Sequence, residues 1–191
     1  MGAVWRQAGI GALAAVLALF PGLAVAMEWA LVPERSRIGF EYLQNGQRAR
    51  GIFARYHGEG LFSPEAPEAA TLELRIESAS IDLDDNLASA FATSAEWFDA
   101  ATHPLVTYRL TSLSPLGGDR FHAIGDLTIR GRTRAVRTEI TLMIDGAKAR
   151  AEGVLELDRR DFGLGVGPSA LFVEIGRAVA VRFDLTAMPP E

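Results

Sequence analysis

From Ser36 onward the chain alternates. Ile38, Phe40 and Tyr42 fall on one side with Arg37, Gly39 and Glu41 between them, the period-two pattern of a half-buried strand. Asn45-Gly46 follows, a hairpin signal because both residues tolerate φ > 0. A return strand is expected from Gln47 to Tyr56. The same alternation recurs at Leu72, Leu74 and Ile76, at Val106, Tyr108 and Leu110, and at Leu127 and Ile129. It is longest at Val136, Thr138, Ile140, Leu142 and Ile144, with Arg137, Glu139 and Thr141 on the other face. Gly117-Gly118-Asp119 and Asp145-Gly146 mark turns. The second leads into Ala149–Leu157, and the last strand carries Val179, Val181, Phe183 and Leu185. The pattern predicts about eight strands with short connections, so neighbours in sequence should pair. Long amphipathic strands suit an antiparallel sheet with one apolar face. Such a sheet closes into a barrel or splits into a sandwich, and closure removes exposed edges.

One segment breaks the period. Asp84-Asp85-Asn86 offers an N-cap and favourable charge for a helix start, and Leu87, Phe91, Ser94 and Phe98 then share one helical stripe. His103-Pro104 ends any helix, since proline disfavours the α conformation in its predecessor. The pattern predicts one helical insertion over Asp84–Ala101, placed either as a lid on a barrel mouth or as an outside flank.

Residues 1–26 read as a cleaved secretory signal peptide. Arg6 precedes an apolar run over Gly9–Phe20, then Pro21-Gly22 and an Ala24-Val25-Ala26 cleavage site. The run is shorter than the ~20 residues that span a bilayer. Export to the periplasm is therefore expected, with residues 27–191 as one domain. That part carries 18 basic against 24 acidic residues, a balance that argues against nucleic acid and against a polybasic hold on anionic lipid. Cysteine is absent, which excludes thiol nucleophiles and cysteine-ligated metal.

Candidate chemistry is sparse. His57, His103 and His122 sit in separate elements without metal-ligand spacing, so no metal site is expected. Asp82, Asp84 and Asp85 read as cap and turn residues. Ser36, Ser80, Ser94 and Ser169 lack a G-x-S-x-G context, so no enzyme is expected. Gly163-Leu164-Gly165-Val166-Gly167-Pro168 precedes a strand, which disfavours a phosphate cradle, and reads as a flexible loop near a barrel rim. Arg130, Arg132, Arg134, Arg137, Arg159 and Arg160 read first as solvated hairpin ends. The sharper reading is a rim for an anionic headgroup, since guanidinium forks match phosphate oxygens. What remains is apolar volume, since an eight-stranded barrel is filled by its side chains or holds one small ligand.

Five segments in order resemble the YceI family of lipid- or polyisoprenoid-binding proteins. They are Trp29–Ser36; Arg50-Gly51-Ile52-Phe53; Ser78–Asp82 with Glu96–Pro104; Gly125–Gly131; and Arg160-Asp161-Phe162-Gly163. The resemblance implies an exported, all-β, eight-stranded antiparallel lipocalin-like barrel with one short helical insertion. It also implies an apolar tunnel for isoprenoid chains such as polyprenyl phosphates or quinones. Arg35 stands where the family usually has histidine, and Arg132 and Arg134 where it usually has lysine; both bear on headgroup identity.

Together these readings predict non-covalent carriage or sequestration of an isoprenoid or other long-chain lipid, without a cofactor. A membrane-associated donor or acceptor and a homodimer are compatible. The inward alternation nominates Phe40, Tyr42, Phe53, Tyr108, Leu127, Ile140 and Phe183 as ligand contacts, and the helix and late loop add Phe91, Phe98 and Phe162. The competing reading is a filled barrel acting as periplasmic partner of a membrane quinone or cytochrome system.

Overall fold

A computed structural model of the chain describes residues 26–168 and 173–190. The leader read at 1–26 lies outside them except for Ala26, as does Ser169. The strands are β1 (Met27–Leu31), β2 (Arg37–Gln44), β3 (Gln47–Phe53), β4 (Tyr56–Phe62), β5 (Thr71–Glu77) and β6 (Ile81–Asp82). They continue as β7 (Leu105–Gly117), β8 (Arg120–Ile129), β9 (Arg132–Asp145), β10 (Lys148–Asp158) and β11 (Ile175–Met188). Every pairing is antiparallel. The pairs β1/β2, β3/β4 and β5/β6 are each one strand bent at a short break, so a ring of eight staves results.

The ring closes through β11. Its start and middle pair with β2, from Ile175↔Gln44 to Asp184↔Arg37, and its end pairs with β1 through Ala187↔Leu31 and Met188↔Ala30. Between those segments sits Ser36. Its Oγ donates to the Val32 carbonyl at 2.8 Å and accepts from the buried Thr186 N–H at 3.0 Å. Its own carbonyl accepts from the Tyr56 hydroxyl at 2.7 Å. One serine thus lets the chain turn from β1 to β2 without orphaning backbone groups at the seam.

Two more serines serve the other breaks. Ser80 Oγ donates to the Glu77 carbonyl at 2.7 Å, and Ala54 N–H donates to the Ser80 carbonyl at 3.0 Å. Ser78 Oγ donates to the His103 carbonyl at 2.9 Å. Past these serines the chain leaves β7 and follows β3, where Ile81 faces Phe53. The insertion follows β6 and packs back on β3, with Phe98 edge-on to Phe53 at 5.7 Å between ring centroids.

That insertion is shorter than the 84–101 stripe predicts. Helix α1 spans Asn86–Ala92, with the Asp85 carboxylate capping Ala88 N–H at 2.7 Å. It stops because local bonds turn the chain. Phe98 N–H reaches back to the Ala92 carbonyl, and Asp99 takes a left-handed φ of 47°. Ser94 and Phe98 therefore lie past the helix, and Leu87 is 81% exposed. Arg130 clamps the insertion, donating to the Ala95 carbonyl at 2.7 Å and the Gly163 carbonyl at 2.6 Å.

The turn readings hold where φ > 0 is required. Asn45 and Gly46 have φ of 50° and 76°, as a tight hairpin demands. Return strand Gln47–Tyr56 is in fact broken at Ala54-Arg55, and β7 runs beyond Leu110. A bulge between Leu110 and Ser112 switches the inward parity there, so Leu113 is 3% exposed although it is three residues on from Leu110.

Replacing Ser36 by alanine leaves the buried Thr186 N–H without its acceptor. The expected loss is about 1–3 kcal/mol, read as a lower urea midpoint at unchanged slope.

Candidate ligand tunnel

The inward faces of the staves do not meet. They enclose a cavity of about 810 Å³, whereas protein interiors leave few voids larger than a water. It falls within the ~300–1,000 Å³ of small-molecule sites. Its wall is made by the alternating residues: Leu72, Leu74 and Ile76 on β5; Val106, Tyr108 and Leu110 on β7; Val136 to Ile144 on β9; Val179 to Leu185 on β11. Exposed apolar side chains line it at both ends, Leu87 and Phe91 at the α1 end, Leu61 and Ile144 at the other. The insertion therefore covers one end as a lid, through Leu87, Phe91, Trp97 and Phe98.

Nine of the ten nominated residues line this space: Phe40, Tyr42, Phe53, Phe91, Phe98, Tyr108, Leu127, Ile140 and Phe183. Phe162 is not among the lining side chains. It is 1% exposed and packs in the core beneath the loop after β10. Several aromatics form a chain at the α1 end. Phe53 lies 5.5 Å from Phe40 and 5.7 Å edge-on to Phe98 between ring centroids, and Phe91 lies 6.2 Å from Trp97.

Glycines set how far these rings protrude. A Cβ on Gly51 would meet the Phe40 ring at 2.5 Å, and one on Gly153 would meet Phe183 at 2.5 Å. A Cβ on Gly125 would meet the Tyr108 ring at 2.4 Å. Three bulky rings thus lie flat on the wall over residues without side chains, and the bore stays open. Nothing in the alternation marks these pairs, since Gly51 and Phe40 become neighbours only through the β2–β3 register.

Polar groups on the wall are few. Burial pushes the Tyr108 phenol up to about 12, helped by the Asp126 charge, and burial also raises Tyr42. Arg159 lines the wall at 5% exposed, which corrects its reading as a solvated hairpin end. Trp29 and Trp97, not nominated from sequence, line the wall too. Trp97 is signalled by its place beside the helical stripe and by its segment, and Trp29 only by its segment. The histidines do not converge, and no group of three or more metal-ligating side chains exists among the described residues. Asp82 and Asp85 do serve as turn and cap, the former accepting from Asp84 N–H at 3.0 Å.

Gly125→Ala drives a methyl into the Tyr108 ring and pushes that ring into the bore. The expected cost is about 1–3 kcal/mol, and Gly125→Ala with Tyr108→Leu should recover most of it in urea melts. Tyr108 also predicts an alkaline limit. Its folded pKa lies above the ordinary 10.0, so its contribution is intact below that pH and is lost as pH rises towards about 12. Tyr108→Phe should flatten the fall in stability across that window, measured as urea midpoint against pH.

Known proteins share this architecture. The YceI-like domain model matches residues 29–187. The protein YceI of Salmonella arizonae is 27% identical over 183 residues, covering 87% of this chain and 92% of its own. The crystal structure of Burkholderia cenocepacia BcnA superposes with a TM-score of 0.76 at 26% identity, over 83% of this chain and 99% of that one. A domain from Saccharophagus degradans, described as polyisoprenoid-binding and implicated in plant cell wall breakdown, gives a TM-score of 0.70 at 16% identity. It covers 86% of this chain and 99% of its own. The closed eight-stave barrel and the family match agree: the chain belongs to the YceI-like domain family.

Proposed function

We propose that the protein is exported to the periplasm and there holds one isoprenoid or other long-chain lipid non-covalently in the tunnel. The observation that carries this reading is the unfilled apolar bore of about 810 Å³ inside a closed barrel. Burial of apolar chain contributes about 0.8 kcal/mol per CH₂ before ordering costs, so a polyprenyl tail needs no polar anchor to be retained. The Saccharophagus neighbour's description as a polyisoprenoid-binding domain supports the same ligand class. Leader residues 1–26 support export. The tunnel-lining aromatics are the proposed contacts, and the ligand is of polyprenyl phosphate or quinone type. A filled barrel acting only through its surface as partner of a quinone or cytochrome system is disfavoured by the same empty bore. Carriage, without catalysis, is the activity proposed.

Ala151 lies on the tunnel wall between Leu142 and Leu185. Ala151→Trp should fill the bore and abolish retention of an added polyprenyl lipid while the barrel still melts cooperatively. A folded Ala151→Trp protein that retains lipid like the parent would place the binding site elsewhere. Phe91, 42% exposed at the α1 end, gives a gentler test: Phe91→Asp should speed lipid release with little loss of stability.

A further inference from the structure

Strands β9 and β10 pair from Lys148↔Asp145 as far as Gly153↔Ile140. Beyond that point β9 keeps to β8 as far as Arg132↔Ile129, and β10 keeps to β11 as far as Asp158↔Ala178. Over residues 132–139 and 154–158 no backbone ladder joins these two halves of the wall among the described residues. One side-chain bond does: Thr138 Oγ1 donates to the Val154 carbonyl at 2.6 Å. None of the ion pairs among the described residues crosses the slot. Arg137 and Glu156 are exposed on its two sides, and Asp158 pairs with Arg177 at 2.7 Å. The edge groups of the backbone are left to water there, with charged side chains guarding them.

The slot is bounded. At one end stands the Gly153↔Ile140 pair. At the other the turn Arg159–Phe162 packs back on β9, with the Arg132 guanidinium against Gly163. Between these limits the filling is apolar: Val136 from β9, Leu155 and Leu157 from β10, all on the tunnel wall. Thr138, Ile140 and Phe183 line both the tunnel and a cleft on the outer surface beside Gly153 and Val154. Where β7 runs on past β5, by contrast, the turn Pro67–Ala69 packs against it, and where β3 runs on past β6, Leu83 lies against Gly51. Parting two paired strands breaks a run of backbone bonds together. Parting β9 from β10 here breaks one hydroxyl bond and displaces a few apolar side chains, so local opening concentrates at this slot.

Resting on the lipid-binding reading, we infer that the β9–β10 slot is a side gate, which parts to admit and release the lipid chain broadside through the barrel wall. End-on passage under the insertion has to break the Arg130 clamp on the Ala95 and Gly163 carbonyls. Passage through the slot leaves that clamp and the closure at β11 intact. A chain crossing there meets Val136, Leu155 and Leu157 first, and so leaves water for apolar surface along its length. Thr138 is the latch, the one hydroxyl whose bond spans the two edges.

The protein has no cysteine, so an introduced thiol pair can be bridged without competition. Arg137→Cys with Glu156→Cys, joined by a short bismaleimide that contains a disulfide, staples the slot from outside. Thr141→Cys with Glu152→Cys, cross-strand partners in the paired part of the same two strands, is the control. Retinol and dansyl-labelled farnesol, both fluorescent isoprenoids, are the probes. Stopped-flow fluorescence reads their uptake by the full mature protein and their release to excess phosphatidylcholine vesicles. Stapling the slot should slow uptake and release together by about tenfold or more at unchanged affinity, and reducing the linker should restore both rates. The control staple should leave them at the parent values. Thr138→Val, which removes the latch, should speed release about threefold to tenfold, the worth of one net hydrogen bond. Exchange at the parent rate through a stapled slot, equal slowing by both staples, or release no faster from Thr138→Val would overturn the side gate. Failure of both probes to bind the parent protein would instead overturn the lipid-binding reading beneath it.

Discussion

Strand β11 is hydrogen-bonded on both sides, to β10 along Ala178–Ala187 and to β2 and then β1 on the other edge. Through it the sheet has no open seam at the closure, and the backbone's hydrogen-bonding groups are satisfied whatever lies inside. That constraint separates the stability of the wall from the filling of the interior. A helical bundle or a sandwich must bring its apolar faces together to be stable. A closed barrel can leave them apart, provided the ring itself is sound.

The ring is sound because a few small residues absorb its irregularities. Ser36, Ser78 and Ser80 satisfy the backbone where three staves bend. Gly51, Gly125 and Gly153 allow large rings to lie against the wall. Core packing concentrates where the insertion meets the barrel. Ile38, Phe53, Ile81, Val106, Ile129 and Phe162 belong to one buried cluster there. The molecule thus has a well-packed shoulder around one end of a bore that stays open, and the lipid-binding proposal draws on that division.

Much of this is legible in the sequence because a strand's period of two is strict. Alternation alone points Phe40, Tyr42, Phe53, Tyr108, Leu127, Ile140 and Phe183 inward, and all seven line the tunnel. The pattern loses power where parity or direction changes. The bulge after Leu110 and the breaks at Ala54-Arg55 and Ser78–Ser80 are made by long-range backbone bonds, not by local periodicity. Phe162 reads as a ligand contact from its loop, but the turn after β10 holds it in the core. Arg159 and Arg160 are adjacent and chemically alike. Only the carbonyls of Leu164, Gly165, Ile175 and Gly176, converging from a loop and a strand, decide that the first is buried.

Occupation of the bore by a lipid is tested most directly by native mass spectrometry of the mature protein purified from its own host, followed by extraction and identification of whatever it carries. The expected result is a defined additional mass that extracts as an isoprenoid or other long-chain lipid at one per barrel. A bare protein that also declines added isoprenoids would contradict lipid carriage.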